Sequence, residues 1–197
     1  MLKRGFDMIA SACALLLLAP LLFVCGLLVA LTSSGGAFFR QTRVGRDGKE
    51  FDLLKFRTMR VGSEAQGQIT VGGRDPRITQ VGYFLRKTKL DELPQLINIL
   101  KGDMSVVGPR PEVPNYVAMY APEQRKVLTV RPGLSSLASI AYINENEILG
   151  RSSDPERTYI EEVMPAKLKL ELQYVLERNL RLDLWIIART FLKLLNR

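Results

Sequence analysis

Between Asp7 and Arg40 the chain carries no charged side chain, and Met8–Leu31 is almost wholly apolar with a single proline, Pro20, near its middle. Roughly 24 residues of helix would measure about 36 Å, against a hydrocarbon core of about 30 Å. Length alone therefore permits a spanning helix. A cleaved leader would have a shorter apolar stretch and a small-residue cleavage site ahead of a polar mature chain, so retention of this segment is expected.

Proline removes a backbone donor and crowds the preceding turn. A break at Pro20 would leave arms of about 12 and 11 residues, each reaching only ~17 Å. Charge adds a second constraint. Lys3 and Arg4 flank one end, while Arg40, Arg43, Arg46, Lys49, Lys55, Arg57 and Arg60 follow the other. Basic flanks stay on the cytoplasmic side. A helix-break-helix hairpin that dips into the bilayer and returns keeps both inside, so the sequence favours a re-entrant hairpin over a single span. The expected division is a membrane hairpin over 1–35 and a cytoplasmic domain over 36–197.

Composition narrows the chemistry. The 197 residues include no His, which excludes His-based triads, His-ligated metals and imidazole acid–base pairs, and leaves carboxylates to do proton or nucleophile work. Cys13 and Cys25 both lie in the apolar run, so no disulfide framework or paired-Cys zinc site is available. A formal charge of +8, from 28 Lys plus Arg against 20 Asp plus Glu, calls for a polyanionic partner: nucleic acid, an anionic membrane or a phosphate-rich substrate. Nothing resembles a helix-turn-helix, a zinc finger or an aromatic-interleaved RNA motif. Neither GxGxxG nor a P-loop occurs.

After Ser33-Ser34-Gly35-Gly36, the residues Phe38–Thr42 and Glu50–Phe56 read as strands joined by a turn at Gly45-Arg46-Asp47-Gly48. Residues 61–80, with Gly62, Gly67, Gly72, Gly73 and Asp75-Pro76, read as a long functional loop. Leu93, Leu96, Ile97 and Leu100 mark a helix ended by Gly102, and Leu168, Leu172, Val175 and Leu176 mark another. The last helix puts Leu184, Ile187, Ala188, Phe191 and Leu195 on one face and Arg189, Lys193 and Arg197 on another. That pattern suits either a membrane interface or packing on the core.

Asp91-Glu92 opens the helix that ends at Gly102. Thr88 with Asp91 matches a capping box, and Asp91 as cap would put Pro94 in the first turn; both registers set Asp91 at a helix N-terminus. Arg86, Lys87 and Lys89 precede the pair. Further on, the prolines around Arg110 in Gly108-Pro109-Arg110-Pro111 either hold its guanidinium for phosphate or make a rigid turn.

The chain then resembles the bacterial sugar transferases, and more narrowly the small monotopic polyprenol-phosphate phosphoglycosyl transferases. The motifs, in order, are Lys55-Phe56-Arg57-Thr58-Met59, Asp75-Pro76-Arg77-Ile78-Thr79, Leu90 to Leu96, Lys101-Gly102-Asp103-Met104-Ser105, Gly108 to Pro111 and Arg131-Pro132-Gly133. The resemblance implies an α+β, mainly helical fold with a re-entrant membrane helix, a small β-hairpin and amphipathic interfacial helices, seated on the cytoplasmic face of the bacterial inner membrane. It implies transfer of a phosphosugar from a UDP-sugar to polyprenol (undecaprenyl) phosphate, releasing UMP, as an early membrane step in glycoconjugate assembly. Asp91 would be the nucleophile that forms a covalent phosphosugar, Glu92 would prepare the lipid phosphate, and Mg²⁺ near Asp91 would neutralise the diphosphate. Lys55, Arg86, Arg110, Arg131 and Asp183 would contact phosphate or substrate. The bilayer is the implied partner and a homodimer stays open; a non-catalytic basic scaffold or nucleic-acid binder is the rival.

Two positions depart from the family pattern. Ala19-Pro20 stands where Ser-Pro is common. Ser135-Ser136 leads to Tyr142-Ile143-Asn144-Glu145-Asn146-Glu147 in place of Thr-Gly and Asn-Gly-Arg, which implies a different subgroup or sugar pocket.

Overall fold

A computed structural model describes residues 2–67, 69–72 and 75–196. Gly73, in the expected loop, and Arg197, on the basic face expected of the last helix, lie outside the described residues.

The apolar run forms one helix, α1 (Leu2–Thr32), which continues through Pro20. The expected break does not divide it. Packing supplies the reason. Asp7, Ser11, Ala14, Leu15, Leu22, Cys25 and Val29 recur at helical spacing and form one stripe on either side of the proline, held against the rest of the molecule. Leu22, Cys25 and Val29 pack with Phe56, Val81 and Leu85. Burying three such side chains at about 1.5–3 kcal/mol each offsets the roughly 3 kcal/mol that an internal proline costs. The opposite face, including Leu16, Leu17, Phe23 and Leu31, is exposed.

The N-terminal end of α1 is pinned by polar contacts. Arg4 donates to the carbonyls of Ile99 and Leu100 at 2.6 and 3.0 Å. Buried Asp7 accepts from Ser105 Oγ at 2.9 Å and from the Val106 N–H at 3.1 Å. Both ends of α1 therefore rest on one body.

Strands β1 (Phe38–Val44) and β2 (Glu50–Phe56) form the antiparallel hairpin, with Phe39 opposite Lys55 and Gln41 opposite Leu53. The first strand runs two residues past its expected end because Val44 also pairs with Glu112. In the loop that follows, Arg77 binds Asp75 and the carbonyls of Gly67 and Ile69, tying the Gly-rich segment into a knot. The end of that segment is helical: α2 (Gln80–Thr88) is capped by Thr79, whose side chain accepts from the Gly82 N–H. Only glycine fits at 82, where a Cβ would lie 2.1 Å from the Thr58 carbonyl oxygen.

Next come α3 (Gln95–Lys101), closed as expected by Gly102 in the left-handed region, and β3 (Ser105–Val107), which pairs in parallel with β4 (Gly133–Ser135). Short helices α4 (Pro114–Ala118), α5 (Leu137–Ala141), α6 (Glu145–Gly150) and α7 (Pro155–Thr158) lead through a wide turn at Tyr159–Val163 into α8 (Met164–Glu177) and α9 (Leu180–Leu195). The largest apolar cluster joins Val44, Val113, Tyr116, Val127, Leu149, Val163 and Leu168.

On α9 only Asp183 and Ile186 are buried, while Leu184, Trp185, Phe191 and Leu195 are exposed. Its apolar residues are divided: Leu182, Ile186 and Ile187 pack on the core with Val107 and Tyr174, and the others face outward. Leu176, expected on the inner face of α8, also points outward.

Candidate active site

Lys89 ends α2 with φ 59°, and this left-handed residue turns the chain sharply into a single tight turn, Leu90–Glu92. Pro94, not Asp91, precedes α3, and no side chain caps that helix. Neither capping register holds. Asp91 is 5% exposed, and its buried Oδ1 has no hydrogen-bond partner among the described residues. An unsatisfied buried acceptor costs about 1–3 kcal/mol.

Glu92 has the opposite character. Its two oxygens accept both arms of the Arg110 guanidinium at 2.7 and 3.1 Å, and Lys89 lies 3.3 Å away. Burial works to raise this carboxyl, but Arg110 and Lys89 outweigh it and hold it well below the usual range. The same pairing raises Arg110. Arg110 is thus at the site as expected, engaged with Glu92.

The frame beneath this pair is built by Asn98 and Glu171, which the sequence did not single out, and by the glycines of two motifs that it did. Asn98 on α3 is buried, donating to the Asp52 carbonyl at 2.8 Å and accepting from the Leu54 N–H at 2.9 Å, so it locks the helix after Asp91-Glu92 to the strand carrying Lys55. The Arg110 turn is clamped from behind. Gly133 donates to the Pro109 carbonyl at 2.8 Å, and a Cβ at Gly133 would sit 2.0 Å from the Gly108 nitrogen. Two separate motifs, Gly108 to Pro111 and Arg131 to Gly133, are therefore one backbone contact. Glu171 on α8 accepts the Arg110 N–H at 3.2 Å, and burial pushes its carboxyl up to about 7. Its signal in the sequence is a carboxylate on the stripe of Leu168 and Val175.

A cavity of about 1620 Å³ joins these groups, lined among others by Asp91, Glu92, Lys55, Arg86, Arg110 and Glu171. Lys55 reaches Gln41 at 3.4 Å and lies over the Phe39 ring at 5.2 Å. Burial, then Arg43 and Arg86, bring its ammonium down to about 7. Burial lowers Arg86, which donates to the Thr70 hydroxyl at 3.2 Å. Asp91 is pushed up to about 6 by burial and then by Glu92, against the pull of Lys89, Lys55 and Arg86. The crowding of Lys55 by Arg43 and Arg86 describes a cluster of cations that a bound phosphate would relieve.

Arg131 and Asp183 are not on the cavity wall. Arg131 donates to the Gly102 carbonyl at 2.8 Å, bracing the end of α3. Asp183 is buried between Lys3 at 2.6 Å and the Tyr174 hydroxyl at 2.7 Å, tying α9 to α1 and α8. In this structure Arg131 Nε braces α3 and both Asp183 oxygens are engaged away from the cavity. The divergent segment Tyr142–Glu147, by contrast, does line the cavity.

Among the described residues no three Asp, Glu, Cys or His groups gather as a metal cage. The unpartnered Oδ1 of Asp91 nevertheless fits Mg²⁺, which is commonly held by one or two carboxylates together with substrate phosphates.

A family model described as bacterial sugar transferase matches residues 1–197. The chain is 36% identical to UDP-N-acetylgalactosamine-undecaprenyl-phosphate N-acetylgalactosaminephosphotransferase of Aeromonas hydrophila, over 96% of this chain and 42% of that protein. It is 37% identical to UDP-glucose:undecaprenyl-phosphate glucose-1-phosphate transferase of Caulobacter vibrioides, over 98% of this chain and 69% of that one. It is also 37% identical to exopolysaccharide production protein PSS of Rhizobium leguminosarum, over 100% of this chain and 96% of that protein.

Proposed function

The chain belongs to the bacterial sugar transferase family, and from that premise we propose that it moves a phosphosugar from a UDP-sugar to undecaprenyl phosphate through a covalent intermediate on Asp91. The observation that carries this reading is the buried Asp91 oxygen, without a partner among the described residues and set among Lys55, Arg86 and Lys89 in one cavity. A scaffold without turnover gives that oxygen no role.

In the first step an Asp91 carboxylate oxygen bonds to the sugar-bearing phosphorus, the bond from that phosphorus to the bridging oxygen breaks, and UMP leaves with the bridging oxygen. In the second, an oxygen of the lipid phosphate bonds to the same phosphorus and Asp91 is released as carboxylate, leaving a polyprenyl diphosphate sugar. Lys55, Arg86 and Arg110 hold two phosphate groups near one another against their repulsion. Glu92, with both oxygens on Arg110, fixes that guanidinium and through it prepares the lipid phosphate. Mg²⁺, when bound, neutralises charge on the diphosphate, with Asp91 as its protein ligand.

Membrane seating is part of the proposal. It is supported by α1, which is long and apolar enough to cross a membrane, and by the exposed apolar faces of α1 and α9. Contacts of both ends of α1 with one body favour a monotopic arrangement, on the cytoplasmic face where the basic flanks lie, over a span that exports one end.

The test is UMP release from UDP-glucose and UDP-N-acetylgalactosamine by protein in lipid nanodiscs. Continuous release with one of them should require undecaprenyl phosphate, with no more than one equivalent released in its absence. Continuous release without lipid phosphate would make the chain a hydrolase instead.

A further inference from the structure

The cavity changes character along its length. Around Asp91 its walls are charged, but on β2 the lining residue two before Lys55 is Leu53, and the chain beyond Glu92 supplies Leu93 and Leu96. The floor becomes apolar along two elements at once. This mostly apolar arm runs between α1, which contributes Phe6, Ala10, Ala14 and Leu18, and α9, which contributes Ile187 and Phe191 together with the polar Thr190 and Lys193. From Phe6 to Leu18 the helix covers about 18 Å. Phe191 both lines the arm and is 64% exposed, so the arm reaches the surface where the apolar faces of α1 and α9 are uncovered.

A trough cationic around Asp91 and mostly apolar between α1 and α9 fits an amphiphile with an anionic head. We propose that the arm between α1 and α9 holds the head-proximal part of the isoprenoid chain of the lipid acceptor, with its phosphate among Lys55, Arg86 and Arg110. A bilayer phospholipid suits the site less well. Its phosphate is a diester with a single charge and a headgroup beyond it, whereas several cations around a carboxylate pair favour a terminal monoester phosphate. Ala10 and Ala14 leave the room along α1 that a larger side chain would fill. The inference rests on the second transfer step proposed above.

The experiment uses the full chain in phospholipid nanodiscs and follows two quantities in each sample: the covalent adduct formed from the UDP-sugar alone, and its transfer to an added acceptor. With Ala10→Phe, transfer to undecaprenyl phosphate should fall about tenfold relative to adduct formation. Transfer to dimethylallyl phosphate, whose five-carbon chain barely enters the arm, should keep the wild-type ratio. A diazirine-tagged farnesyl phosphate should label α1 and α9 in the wild type, and excess undecaprenyl phosphate should abolish that labelling. Unchanged transfer to undecaprenyl phosphate by Ala10→Phe overturns the assignment. So does labelling that persists under competition, which would mean that the probe reaches α1 and α9 from the bilayer and not through a site for the acceptor. Failure of the wild type to form any adduct would instead remove the two-step reading on which the inference stands. Should Ala10→Phe not fold, the competed labelling of wild type decides alone.

Discussion

Asp91 carries a buried carboxyl with one oxygen unpaired, so a single substitution separates stability from chemistry. Its carboxyl is pushed up to about 6, above the value near 3.9 of an unfolded chain. The folded state therefore favours the protonated form. The stability this contributes is full below about pH 4 and is lost as pH rises through about 6. Asp91→Asn should consequently be more stable than wild type at pH 7.5, by about 1–3 kcal/mol, in thermal unfolding. Adduct formation depends on the carboxylate and should run the other way, rising with pH through about 6 and then levelling. Arg110→Lys removes the two-armed contact with Glu92 and should slow lipid transfer about 10- to 100-fold, measured as product per adduct. Full activity would reduce Arg110 to a turn-shaping role. Glu171→Ala leaves the Arg110 N–H without its acceptor and should lower turnover about tenfold, while Glu171→Gln, which keeps an acceptor, should restore most of it.

Much of this site is legible in the sequence, because charge and motif order are local properties. Asp91, Glu92, Lys55, Arg86 and Arg110 converge as expected. Arg131 and Asp183 do not, because each is drawn to a distant partner outside the cavity, the Gly102 carbonyl for one and Lys3 for the other. Sequence spacing carries no information about such partners. Asn98 and Glu171 were missed for the same reason, since their roles rest on contacts 46 and 61 residues away.

At the scale of elements, the β-hairpin, α3 with its glycine stop, and α8 follow from alternation and helical spacing. Helix α2 does not stand out, because its apolar positions Val81 and Leu85 lie in a basic, glycine-flanked stretch and it is secured by Thr79 and by packing on α1. Pro20 misled for a related reason: a local cost was outweighed by long-range burial. The two glycine motifs give a contrast that can be measured. Gly133→Ala forces a Cβ onto the Gly108 backbone and should destabilise by more than roughly 3 kcal/mol or prevent folding. Gly26→Ala, inside α1 with its nearest contact an ordinary 3.5 Å to Phe56, should be neutral or stabilise by up to about 1 kcal/mol. Equal stability of the two variants in denaturant titration would contradict the backbone clamp.

For the whole molecule, the topology proposed for α1 and the chemistry proposed for Asp91 have to agree, since a lipid phosphate must reach the cavity from the bilayer. Single cysteines at Leu2 and at Gly36, in a chain with Cys13 and Cys25 replaced, should both resist an impermeant maleimide in intact cells and both react after permeabilisation. Labelling of one end alone would establish a span. The central claim is tested most directly by the intact mass of the protein after incubation with its UDP-sugar and Mg²⁺ and without lipid phosphate. The wild type should gain the mass of one phosphosugar, mapped to Asp91 and discharged when undecaprenyl phosphate is added, and Asp91→Asn should gain nothing. Lipid product formed by Asp91→Asn at the wild-type rate would contradict the account.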